Sequence, residues 1–142
     1  MSTIAQSPIL ICTDERASYK RLVTVGESLS KEQNRPLSVL SVQPNELVTP
    51  STAESIQILH NIACGTGAEI TVLFSDSPVL TFAVFAKQIN AAEIVVDKAW
   101  IQGDVVFRML RDLTPEIPLS VLDEDDQLVT FPPIYEMHTV SS

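Results

Sequence analysis

Short apolar runs alternate with longer segments of helical period along this chain, the pattern of parallel strands covered by helices on both faces. Ile9-Leu10-Ile11-Cys12-Thr13 reads as the first strand. From about Arg16, the positions Tyr19, Leu22, Val23, Gly26 and Leu29 recur at helical spacing, with Lys20, Arg21, Lys31 and Glu32 on the other face, which predicts an amphipathic helix. Asn34-Arg35-Pro36 ends it, and the β-branched content of Leu37 to Val42 suits a second strand. After the loop QPNELVTP, Ser51-Thr52-Ala53-Glu54 has the spacing of a capping box, with Ile56, Leu59 and Ala63 as the buried stripe of a second helix stopped by Gly65 and Gly67.

Ala68 to Phe74 reads as the third strand, and Ser75-Asp76-Ser77-Pro78 as a helix start with proline in the first turn. Phe82, Phe85, Ala86 and Ile89 form the next stripe, and Asn90-Ala91-Ala92 leads to a fourth strand, Ile94-Val95-Val96. A short helix capped by Asp104 follows, with Val105, Val106, Met109, Leu110 and Leu113 inward, and Pro115 and Pro118 bracket the approach to a fifth strand, Leu119 to Leu122. The words PLSVL at Pro36 and Pro118 repeat without matching flanks, so they are two strands of one composition and not a duplication. Asp123-Glu124-Asp125-Asp126 reads as solvated. Leu128 to Phe131 has the makings of an added strand, and Ile134, Tyr135 and Met137 leave an apolar tail of the kind that packs on a partner chain. The organisation expected is one α/β domain over residues 1–126 and a C-terminal extension over 127–142.

Composition narrows the functions. A chain of 142 residues with 45% hydrophobic content can build a core without disulfides or metals. Its net charge of -9 repels nucleic acid and anionic membranes. No segment reaches bilayer-spanning length and the N-terminus has no basic leader, which points to the cytoplasm. Cys12 in an apolar run and Cys64 beside Gly-Thr-Gly have neither zinc-site nor redox-pair spacing, and both read as small buried hydrophobes. His60 and His138 have no sequence neighbour that makes a catalytic pair or a metal set, and no serine sits in a nucleophile elbow. The expectation is no enzyme, no cofactor and no metal.

The order of elements, the first strand ending in CTDERAS, the GAEITVL third strand and the final EIPLSVL strand resemble the universal stress protein family over nearly the whole chain up to Asp125. That resemblance implies a Rossmann-like parallel sheet of five strands in the order 3-2-1-4-5 with helices on both faces, a cleft between strands one and four, and a homodimer through the last strand. Open-sheet physics agrees about the cleft, which falls where the strand order reverses. The dimer is also expected from the unpaired outer edge of a fifth strand, Leu119 to Leu122.

ATP-binding members of that family carry an aspartate after the first strand, matched by Asp14, and a glycine-rich loop with a hydroxyl residue at the last helix. Here Glu15-Arg16 follow the aspartate, and Asp97 to Asp112 holds one glycine, Gly103, and no serine or threonine. Few backbone amides are then free to approach a phosphate. The chain is similar to the branch that does not bind ATP, or to the module of that fold found in some potassium-sensing histidine kinases.

Two readings of the cleft stay open. Asp14 and Asp97 contact a cation or ribose hydroxyls, or they cap nearby helices and pair with Arg16 and Lys98. Lys98 and Arg16 also offer charge to a small anion, and Trp100 either stacks on a base or covers the core edge. The leading expectation is a cytoplasmic regulatory or protein-interaction homodimer with a degenerate nucleotide cleft; the alternative is a sensor of AMP, ATP or another small ligand using Asp14, Val42, Asp97 and Lys98.

Overall fold

The computed structural model describes residues 7–13, 19–44, 50–101 and 104–134. In chain order the elements are β1 (Ile9–Thr13), α1 (Tyr19–Gln33), β2 (Leu37–Gln43), α2 (Pro50–Cys64), β3 (Glu69–Phe74), α3 (Pro78–Gln88), β4 (Glu93–Asp97), α4 (Asp104–Leu113), β5 (Leu119–Leu122) and β6 (Leu128–Phe131). They form one sheet in the order β3-β2-β1-β4-β5-β6. The first five strands are parallel, from Ile9 opposite Leu37 across to Ile94 opposite Leu119.

The sheet has six strands rather than the five expected, because β6 turns back antiparallel on β5 with Leu119 opposite Phe131 and Leu122 opposite Leu128. The acidic run makes that turn. Asp123 Oδ1 accepts from the amides of Asp125 (2.8 Å) and Gln127 (2.9 Å), and Asp126 takes a left-handed φ of 61°. The added strand expected over Leu128 to Phe131 forms, and it pairs along the outer edge of β5, the edge from which a dimer was expected.

Alternation along the strands sends side chains to two cores. Ile9, Ile11, Val39, Val95 and Leu122 pack with Tyr19, Leu22 and Val23 of α1 and Leu59 of α2. Leu10, Leu40, Val42, Ile94, Val96 and Val121 pack with Phe82, Ala83 and Ala86 of α3 and Leu110 of α4. Helix α1 lies close on the sheet because Gly26 leaves room: a Cβ there would stand 2.6 Å from Ile11 Cδ1 and 2.9 Å from Leu37 Cδ1. Helices α1 and α3 end as their sequences predict. Asn34 (φ 54°) and Asn90 (φ 55°) take the left-handed position, and the amides of Arg35 and Ala91 reach back 2.9 Å to the carbonyls of Ser30 and Ala86.

Three finer expectations change. Val105 and Met109 of α4 are exposed, since the helix turns Val106, Phe107, Leu110 and Leu113 inward instead. Cys64 is exposed at the end of α2, while Cys12 is buried. Helix α2 starts at Pro50, which puts Ser51 inside its first turn and not at the cap.

Candidate functional site

The strand order reverses between β1 and β4, and the crevice that results lies beyond their carboxyl ends. Pairing between the two strands runs from Ile9 and Glu93 to Ile11 and Val95, so Cys12, Thr13, Val96 and Asp97 lie past the last matched position. On the α1/α2 face the strands turn polar at this end: Thr13, Ser41, Gln43 and Asp97 are all buried. Thr13 Oγ1 donates to the carbonyl of Leu40, and Gln43 Nε2 to Ser41 Oγ at 2.7 Å.

Asp97 is 5% exposed. A carboxylate this buried needs partners, and it has two. Its Oδ1 accepts from the amide of Ala99 at 2.8 Å, and its Oδ2 lies 3.5 Å from Arg21 Nη1. The same guanidinium donates through Nε to Asp126 Oδ1 at 2.8 Å and through Nη2 to the carbonyl of Asp123. The hydrogen bond to Asp126, with the charges of Asp126, Asp97 and Asp123, raises the Arg21 pKa above its ordinary value. Arg21 therefore ties α1, the end of β4 and the β5–β6 turn together. Helical periodicity alone puts Arg21 on the solvent face of α1, because its partners lie 76 to 105 positions away in the chain and no local pattern marks them.

The backbone after β4 is equally committed. The amide of Lys98 donates to the carbonyl of Leu122 (2.8 Å), that of Ala99 to the Asp97 side chain, that of Trp100 to the carbonyl of Asp97 (3.0 Å) and that of Ile101 to the carbonyl of Lys98 (3.2 Å). Four consecutive N–H groups thus have acceptors within the chain, leaving none of them to form an anion-binding nest. Trp100 covers the core edge, 7% exposed, with its ring edge-on to Phe82 at a centroid distance of 4.7 Å.

The residues expected to share one site diverge. Asp14 and Arg16 lie outside the described residues. Asp97 points to the α1/α2 face, whereas Val42 sits in the core under α3. Lys98 is exposed and lines a groove of about 420 Å³ with Ile101, Phe107, Val121, Asp123, Val129 and Phe131. Asp97 pairs with Arg21 and not with Lys98. Burial pushes the Cys12 thiol well above its ordinary pKa and keeps it protonated. His60 is exposed, 3.3 Å from Cys64 Sγ, and among the described residues no three His, Cys, Asp or Glu side chains gather as metal ligands. No helix among the described residues is long and apolar enough to cross a membrane.

No protein-family model matches this chain, and no curated protein does. Solved structures do. The universal stress protein from Archaeoglobus fulgidus in complex with dAMP is similar with a TM-score of 0.62 and 20% identity, over 83% of this chain and 98% of that one. A universal stress protein in complex with cAMP is similar with a TM-score of 0.58 and 15% identity, over 87% and 100%. A protein of the universal stress protein family from Burkholderia pseudomallei gives 0.58 and 13%, over 80% and 93%. The fold is that of the universal stress proteins. Within that fold, this chain has an acidic side chain and a set of committed amides at the strand-four corner of the crevice.

Proposed function

We propose that this chain is a divergent universal-stress-type protein, cytoplasmic and non-enzymatic, that acts in regulation or protein interaction and does not hold ATP through the segment after β4. One observation carries the reading. The amides of residues 98–101 all have acceptors inside the chain, and the side chain standing there is the carboxylate of Asp97. A triphosphate would find no free amide donors among them. Isothermal titration with ATP is the test: no heat of binding is expected, and micromolar affinity overturns the reading.

Homodimer formation is part of the proposal. With β5 capped by β6, the sheet edges left for pairing are β3 and β6. Light scattering at micromolar concentration should give twice the monomer mass, and a monomer there removes the dimer clause.

A second reading is a nucleoside monophosphate sensor. It is favoured by the two similar structures whose ligands, dAMP and cAMP, carry a single phosphate. A ligand that binds only the folded chain raises its melting temperature, so a concentration-dependent rise with AMP or cAMP and none with ATP would select this reading over the first.

A further inference from the structure

The groove that takes Lys98 lies on the α3/α4 side of the sheet, between α4 and the β5–β6 hairpin. Helix α4 packs beside α3 with its apolar face toward the shared core and leaves part of the hairpin uncovered: Val129 is 50% exposed, and Phe131 stands edge-on to Phe107 at 4.8 Å. The result is a cleft of about 420 Å³, lined by Ile101, Phe107, Val121, Val129 and Phe131 with Lys98 and Asp123 at its rim. Its volume falls within the range of small-molecule sites, and its lining has their composition, apolar walls and few polar groups.

The two rim charges are not equivalent. Asp123 is engaged in the turn, its Oδ1 accepting two amides and its carbonyl the Arg21 guanidinium. Lys98 Nζ has no ion pair or hydrogen bond among the described residues. A free ammonium beside an apolar cleft complements a molecule with one anionic end. Asp123 at the same rim, and the net charge of -9, penalise each negative charge beyond the first.

We infer that this groove binds a small amphipathic monocarboxylate, its carboxylate meeting Lys98 Nζ and its hydrocarbon lying against Ile101, Phe107, Val129 and Phe131. The site shares no side chain with the Asp97–Arg21 pair, and its test is read without any nucleotide present.

The test is an amide NMR titration of the full chain with octanoate, octanol and octylamine. Saturable shifts confined to Ile101, Val121, Val129 and Phe131 are expected. Octanoate should bind up to about fivefold more tightly than octanol, the most a single exposed charge pair gives. Lys98→Gln should erase that preference and leave octanol binding unchanged. Val129→Glu, at an exposed position, should abolish octanoate binding without lowering the melting temperature. Octylamine binding as tightly as octanoate, or shifts that do not saturate, would overturn the inference. So would octanoate binding only to a chain ended at Ile134, which would make residues 135–142 the occupant, or a groove filled by a second copy, seen as shifts that grow with protein concentration and that octanoate reverses.

Discussion

The two faces of the sheet solve the same problem differently at their carboxyl ends. On the α1/α2 side the strands become polar, and charge ties the elements together: Arg21 reaches from α1 to Asp97 and to the β5–β6 turn. On the α3/α4 side the surface stays apolar to the strand ends, where Trp100 folds onto Phe82. There the closure depends on shape, and it is incomplete, because a ten-residue helix cannot cover a sheet that β6 has widened. Directional partners hold the first corner; apolar area alone holds the second and leaves a groove.

The contrast predicts a descending series of effects. The greatest loss should come from Phe82→Ala, fully buried between Trp100 and the sheet: about 3 to 5 kcal/mol by denaturant unfolding. The same variant should expose Cys12 to 5,5′-dithiobis(2-nitrobenzoate), whereas the native chain should titrate only Cys64 until it is unfolded. Equal reactivity of both thiols in the native chain would contradict the tight α3/α4 core.

Gly26→Ala probes the opposite face. The contact with Ile11 should cost more than the helix propensity of alanine returns, for a net loss of about 1 to 2 kcal/mol. A stabilised variant would mean that α1 sits less closely on β1.

Arg21→Ala leaves Asp97 buried with one hydrogen bond, which should cost about 1 to 2 kcal/mol. The double variant Arg21→Ala with Asp97→Asn should recover part of that. If the double variant is no more stable than the single one, the unpaired Asp97 charge is not the source of the loss. The smallest effect sets local strain against one exposed hydrogen bond, Asn90 Nδ2 to Ser7 Oγ at 3.2 Å: Asn90→Gly at the left-handed end of α3 should raise stability by at most roughly 0.5 kcal/mol.

The order and type of the elements were legible because each rests on local signals. Period-two or continuous apolar runs mark β1 to β5, and Asn34 and Asn90 mark the ends of α1 and α3. The resemblance to universal stress proteins rested on the same order, and structural similarity bears it out at the level of the fold. At the site, the chain announced what it offers, an acidic residue and one glycine after the fourth strand, but not how those groups are used. Asp97 and Val42 look alike as strand-end residues, yet strand alternation turns one to each face. Trp100 gave no sign of choosing the core over a ligand until Phe82 stood beside it.

What the sequence determined by itself was therefore the set of elements, their alternation and the thin supply of flexible backbone after β4, since these depend on neighbours within a few residues. Tertiary structure alone decided three things: that Arg21 is the counter-ion of Asp97, that β6 closes the edge of β5, and that Lys98 faces an apolar groove. Each depends on groups far apart in the chain meeting in space. Such meetings are set by how helices seat on the sheet and by where a hairpin folds back, and no local pattern of residues records them.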